Sequence, residues 1–207
     1  AYMSTTTITT VVFEIGNVLL KWDPEKIFHR LFGRDDFKSH PLKNVIGNEI
    51  WLGMDRGTVS KEEAITRFSK SFPEDSAAIA EFIEAVPDSI EPDHAGIECA
   101  RECKKRGLTI LLLSNFPEYA YKKVREKHSF FSIFDGEIIS YQVKLLKPER
   151  EIYETLISNF HLIPEETLFI DDREENITGA QEVGIRGIHL TKEKNIRQEV
   201  ERLLSKQ

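Results

Sequence analysis

Four groups of polar residues stand where apolar runs stop, and their side chains suit the handling of a charged, oxygen-rich ligand. The first is Glu14, which follows Val11-Val12-Phe13 and precedes Ile15-Gly16-Asn17. An apolar run giving way to Gly-Asn has the pattern of a buried strand opening into a turn, so the carboxylate projects into a crevice. The last group is Asp171-Asp172, after Leu168-Phe169-Ile170. Adjacent carboxylates at a strand end can bind a hard cation that prefers oxygen ligands and retains water, which suits Mg²⁺. Capping by Asp172 of the helix that includes Asn176–Val183 is the competing reading, and Glu14 as a further carboxylate favours the metal. Lys147 follows Leu145-Leu146 and precedes Pro148, which restricts its backbone to extended conformations. A fixed ammonium there can balance clustered carboxylates or hold the charge of a transferring phosphoryl group; a surface lysine is the alternative. Ser114-Asn115 closes Leu111-Leu112-Leu113 and offers hydroxyl, amide and backbone donors to phosphate oxygens, although turns favour the same residues.

These groups need a scaffold that brings strand ends together. Short β-rich runs recur at Thr10–Ile15, Leu108–Leu113, Gly136–Ser140, Thr167–Asp171 and Gly187–Leu190, most of them separated by helical patterns. Ala95–Arg106 ends at Gly107, a helix stop, and leads into Leu108-Thr109-Ile110-Leu111-Leu112-Leu113, a run buried on both faces of a parallel sheet. Pro148–Phe160 carries Ile152, Tyr153, Leu156, Ile157 and Phe160 on one stripe. The fold class is therefore α/β, a doubly wound parallel sheet of Rossmann-like type, and such sheets place ligands outside the carboxyl ends of their strands. Lys21–Val86 lacks convincing strands and reads as an inserted helical cap over the crevice. Ser60 and Glu63 fit a capping box, with Ala64, Ile65, Phe68 and Phe72 on the buried stripe. Pro87–Pro92 reads as the return linker. The expected division is a core of residues 8–20 plus 88–207 and a cap of residues 21–87.

At 207 residues the chain holds one sizeable core, or one core and a small accessory domain. No apolar run approaches the roughly 18 to 20 residues that cross a bilayer, and the Thr-rich start Ser4–Thr10 lacks a signal-peptide core. A soluble, cytoplasmic protein is expected, with Met3 as its natural start. The net charge is −7 with both signs interspersed, which argues against nucleic acid as a partner. Cys99 and Cys103 lie four apart on one helix face; a redox pair is conceivable, and two ordinary reduced thiols are the simpler reading. Trp22, Phe28, Trp51 and Met54 could line a specificity pocket, although aromatic residues at helical spacing usually belong to a core. Monomer and homodimer stand as equal expectations.

Taken together, and in their order along the chain, these residues resemble the four motifs of the haloacid dehalogenase (HAD) superfamily. Phe134-Asp135-Gly136, Ser140, Lys147-Pro148-Glu149, Ile152-Tyr153 and Phe169-Ile170-Asp171-Asp172-Arg173-Glu174-Glu175-Asn176 fit the same pattern, and the resemblance covers Val11 to Leu190. The start and the helical insert look most like the branch that contains the amino-terminal phosphatase domain of soluble epoxide hydrolase and small bacterial sugar-phosphate phosphatases. The resemblance implies a Mg²⁺-dependent phosphatase of a small phosphorylated metabolite, working through a carboxyl-phosphate intermediate. It puts Glu14 in the nucleophile position, where an aspartate is usual, and also on the metal. Gly16 would offer its carbonyl to the metal, Asp172 would be the main carboxylate ligand, Asp171 would face Lys147, and Asn176 would lie in the outer shell. Ser114, Asn115 and Lys147 would hold the phosphate. Gly16 also stands where many relatives carry a second acid, a group worth roughly 10²- to 10⁴-fold. One extra methylene in Glu14 displaces its carboxylate by about 1 Å, which can cost on the order of 10²-fold in rate. A catalytically silent HAD-fold protein binding a phosphorylated ligand or a protein partner is the second expectation, and metal-free hydrolytic dehalogenation the third.

Overall fold

The computed structural model describes residues 6–204; the expected start at Met3, with Ser4 and Thr5 of the Thr-rich stretch, lies outside the described residues. The described chain begins with β1 (Thr10–Phe13), turns through Glu14–Leu19 into β2 (Leu20–Lys21), and enters a helical segment. That segment contains α1 (Pro24–Phe32), α2 (Leu42–Val45), α3 (Glu49–Arg56), α4 (Lys61–Ser71) and α5 (Ser76–Ser89). It closes with β3 (Glu91–Pro92), which pairs antiparallel with β2 and forms a two-stranded stem. Strands and helices then alternate: α6 (His94–Lys105), β4 (Thr109–Ser114), α7 (Glu118–Lys127), β5 (Gly136–Ile139), α8 (Ser140–Val143), α9 (Arg150–Phe160), β6 (Thr167–Asp171), α10 (Glu174–Glu182), β7 (Arg186–His189) and α11 (Ile196–Leu204).

The main sheet is parallel throughout, in the order β5-β4-β1-β6-β7, so β1 is central and flanked by the strands that carry Ser114 and Asp171. Side chains of period two divide between its faces. Val12, Leu111, Leu113, Ile138 and Phe169 pack with Ile152, Tyr153 and Leu156 of α9. Val11, Phe13, Ile110, Leu112, Leu168 and Ile170 belong to the core that also includes α6 residues and the helical segment's Phe28, Phe68 and Phe82. Burial on both faces is why these strands read as continuous apolar runs.

Two boundaries differ from the sequence reading. Pro87 is not part of a linker: α5 continues through it to Ser89. Proline cannot donate to the carbonyl four residues earlier, and that carbonyl, Ile83 O, accepts instead from the Tyr119 hydroxyl at 2.8 Å. A partner on α7 thus satisfies the group that Pro87 leaves without a helical donor, and the extended return shrinks to the few residues around β3. Leu145-Leu146, in turn, is not a strand end. It lies in the loop after α8, and Leu146 is apolar because its own side chain is buried there. Elsewhere the expected elements hold within a residue or two. The Ser60 hydroxyl accepts from Glu63 N at 3.1 Å to cap α4, with Ala64 and Phe68 buried. Cys99 and Cys103 are buried free cysteines. No described helix is long and apolar enough to cross a membrane.

The helical segment is tied to the sheet domain next to α8. Arg56 makes a forked ion pair with Glu149 (2.9 and 2.7 Å), Lys144 Nζ donates to Gly57 O at 2.6 Å, and Ser140 Oγ donates to Asp55 O at 2.5 Å. Glu149 Oε1 also accepts from Leu146 N at 2.8 Å, so one carboxylate braces both the end of α3 and the loop that carries Lys147.

Candidate active site

The parallel register sets Phe13 beside Leu112 on one side and Ile170 on the other, so Glu14, Ser114 and Asp171 emerge together at the carboxyl edge of three adjacent strands. Glu14 is buried there. Its Oε1 accepts from its neighbour Ile15 N at 2.6 Å and from Ser114 Oγ, and its Oε2 accepts from Lys147 Nζ. Lys147 Nζ donates further to Asp171 Oδ2 at 2.7 Å and Leu113 O at 3.1 Å, so its three protons all have buried acceptors. Lys147 is therefore an interior cation and not the surface lysine of the alternative reading.

Two amides hold the frame. Asn115 Oδ1 accepts from Lys147 N at 2.9 Å and its Nδ2 donates to Lys147 O at 3.1 Å, clamping the loop backbone beside β4. That side chain is engaged in positioning Lys147, so any contact of Asn115 with phosphate falls to its backbone. Asn176 Nδ2 donates to Asp171 Oδ2 at 3.1 Å, and Asp171 Oδ1 accepts from Arg173 N at 2.9 Å at the start of α10. Asp171, rather than Asp172, makes this local turn contact. Asp172 is left facing the cavity, where its Oδ2 accepts from Asn17 Nδ2 at 3.1 Å.

Carboxylate oxygens of Glu14, Asp171 and Asp172 lie within 4.8 Å of one another, an all-oxygen cluster of the kind that hard cations favour. Gly16 lines the same space. Electrostatics mark the strain of gathering these charges. Burial pushes the Glu14 carboxyl up to about 7, against the pull of the Lys147 ammonium, with Asp171 adding to the rise. Burial also raises Asp172, opposed by its hydrogen bond from Asn17 and reinforced by Asp171. For Lys147 burial favours the neutral form, but Asp171 and Glu14 outweigh it and hold its pKa above the ordinary lysine value.

A cavity of about 450 Å³ opens over this cluster. Its floor includes Glu14, Gly16, Asn17, Asn115 and Asp172; its walls include Trp22, Ile46, Trp51, Val86 and Phe116. The Trp22 and Trp51 rings lie 6.2 Å apart. Of the four candidate specificity residues, Trp22, Trp51 and Met54 line the cavity, whereas Phe28 does not: it is buried in an aromatic cluster with Phe32, Phe37 and His40. Asn17 and Asp55 are among the lining residues that the sequence does not single out. Asn17 has a left-handed backbone (φ 61°) and joins Asp172 to the stem by accepting from Trp22 N at 2.9 Å; a Gly-Asn turn signals that conformation but not the partners. Asp55, from α3, has no signal in its own sequence neighbourhood.

The likeness to known proteins agrees with this geometry. Residues 8–184 match the family of haloacid dehalogenase-like hydrolases. The chain belongs to that family. Over 186 residues this HAD-like hydrolase is 28% identical to a sesquiterpene phosphatase of Aspergillus oryzae, covering 90% of this chain and 91% of that one. A shorter stretch of 50 residues is 44% identical to a D-ribitol-5-phosphate phosphatase of Bacteroides thetaiotaomicron, 24% of each chain. In fold the chain is similar to a HAD family enzyme of Bacteroides thetaiotaomicron solved with magnesium and inorganic phosphate, with a TM-score of 0.74, 22% identity and coverage of 93% of this chain and 98% of that one.

Proposed function

We propose that this HAD-like hydrolase is a Mg²⁺-dependent phosphatase of a small phosphorylated metabolite, with Glu14 as nucleophile, and that the organic part of its substrate is largely apolar. The observation that carries the reading is the convergence of Glu14, Ser114, Lys147 and Asp171 at one sheet edge, below a cavity with tryptophan walls. The helical segment acts as the cap, residues 21–87 over a core of 8–20 and 88–207. Its tryptophans hold the leaving group while the strand ends hold the phosphoryl group.

The donor set suits a hard divalent cation: Glu14, Asp172 and the Gly16 carbonyl would hold Mg²⁺, whose charge offsets that of the phosphoryl oxygens. The chain's own groups carry the rest. A Glu14 oxygen attacks phosphorus, the ester bond breaks, and a carboxyl-phosphate forms; water then attacks phosphorus and returns Glu14. Ser114 and Lys147 orient Glu14 and hold charge as it develops, while Asp171 and Asn176 keep Lys147 in place.

One observation favours a second reading, a catalytically silent protein that binds a phosphorylated ligand or a protein partner. Glu14 itself takes the Ser114 hydroxyl and a Lys147 proton, the donors expected to serve phosphate. Turnover by the native chain separates the two. The substrate reading is tested by phosphate release from a series of sugar phosphates and of alkyl and isoprenoid phosphates. Trp51→Ala removes a cavity wall; fully burying a large apolar side chain contributes about 1.5–3 kcal/mol. The expected result is a KM for isoprenoid phosphates raised about tenfold or more, with sugar phosphates little changed. A native preference for sugar phosphates, unmoved by Trp51→Ala, contradicts an apolar substrate.

A further inference from the structure

We propose that Asp55, on the cap helix α3, donates the proton to the ester oxygen that leaves phosphorus and then accepts one from the water that attacks the carboxyl-phosphate. The inference rests on the phosphatase reading above and assigns a group that reading lacks. An alkoxide leaving group needs a proton, and the residue two positions after Glu14 is Gly16, which has none to give.

Elimination among the groups facing the cavity leads to Asp55. Glu14 is the attacking group, and Asp172 belongs to the metal set. The Tyr119 hydroxyl donates to Ile83 O, and burial pushes its ionisation well above the ordinary tyrosine value. Ser114 donates to Glu14. Asn17 and Asn115 are amides, and Arg173 stays charged. Asp55 lines the same cavity as Glu14 and Asp172, yet among the described residues its carboxylate makes no hydrogen bond or ion pair. A half-buried carboxylate without a protein partner is costly to keep charged.

Its placement is fixed from both sides. Ser140 Oγ holds the Asp55 carbonyl at 2.5 Å, Arg56 forks onto Glu149, and Gly57 (φ +81°) receives Lys144 Nζ at 2.6 Å. A Cβ on Gly57 would also collide with the Tyr141 backbone. Glu149 braces the Lys147 loop through Leu146 N, so a single strut sets Asp55 and Lys147 relative to one another. Electrostatics fit the role: burial pushes Asp55 up to about 7, the Glu14 carboxylate adds to the rise, and Arg173 and Lys147 oppose it. Asp172 and Tyr119 are the other titratable groups in the cavity. Near neutrality both forms are then populated, as a group acting first as acid and then as base requires.

The proton count closes. As Glu14 bonds to phosphorus, the ester P–O bond breaks with its electron pair on the leaving oxygen, which takes the Asp55 proton. Water then bonds to phosphorus and gives a proton to Asp55, the P–O bond to Glu14 breaks with its pair on the carboxylate, and inorganic phosphate leaves.

The test compares kcat/KM for n-hexyl phosphate and p-nitrophenyl phosphate in the native protein, Asp55→Asn and Asp55→Glu, with Mg²⁺ present. kcat/KM reports the first irreversible step, and nitrophenolate departs without needing a proton. Asp55→Asn is expected to lower the hexyl value by about 10²-fold or more and the nitrophenyl value far less, with Asp55→Glu recovering part of the difference. Circular dichroism melts establish that each variant is folded. Equal falls for both esters, or no fall for either, with the native protein active, overturn the role of Asp55 alone. A native protein that hydrolyses neither ester overturns the phosphatase reading and Asp55 with it.

Discussion

Lys147→Ala is expected to destabilise the fold by about 3–5 kcal/mol at pH 8 and to abolish turnover, because it removes the cation that two buried carboxylates share. Urea denaturation followed by tryptophan fluorescence measures the first effect. The loss has a pH signature. Without the ammonium, the rise that burial and the Asp171 carboxylate give Glu14 loses the Lys147 pull that opposes it. The folded-state pKa of Glu14, already raised to about 7 in the native protein, then rises further, so the folded variant binds more protons and regains stability as pH falls. The difference from the native protein should therefore shrink as pH falls from 8 to about 7, below which Glu14 takes up its proton in both. A difference below about 1 kcal/mol at pH 8 would place Lys147 among ordinary exposed pairs, which are worth about that much.

Glu14→Asp is expected to raise kcat on the order of 10²-fold. Removing one methylene draws the carboxylate back toward β1 by about 1 Å, a displacement large enough to matter at that scale when reacting atoms must align. It also withdraws the carboxylate from the Ser114 hydroxyl and from Lys147, leaving both free to meet phosphoryl oxygens. The lost methylene costs about 0.8 kcal/mol of burial, so stability should fall slightly while activity rises. Initial rates with p-nitrophenyl phosphate at saturating Mg²⁺ decide it. A fall in kcat would mean that the surrounding donors are fitted to glutamate and that the longer side chain is the better nucleophile in this site.

Most of the scaffold was legible because its central strands are buried on both faces. Val11–Phe13, Ile110–Leu113 and Leu168–Ile170 carry no alternation to confuse, and each ends abruptly in polar residues, which located Glu14, Ser114 and Asp171 correctly. The misreadings have local causes. Leu145-Leu146 resembles a strand because a leucine packed from a loop leaves the same apolar trace as one in a buried strand. Pro87 resembles a breaker because the compensating donor, Tyr119, comes from a helix more than thirty residues away. For Asn115, its sequence position gives no hint that its amide closes a loop on Lys147. Asp55 was invisible for a related reason: a single carboxylate at a helix end acquires meaning only when Ser140, Glu149 and Lys144 fix that end over the cavity.

The most direct measurement is hydrolysis of p-nitrophenyl phosphate by the native protein with and without Mg²⁺, beside an Asp172→Ala variant prepared identically to expose any contaminating phosphatase. The account predicts phosphate release by the native chain that requires Mg²⁺ and is lost in Asp172→Ala. Release that survives in Asp172→Ala, or no release from the native chain while Glu14→Asp is active, would contradict it, the latter identifying an intact scaffold silenced at Glu14.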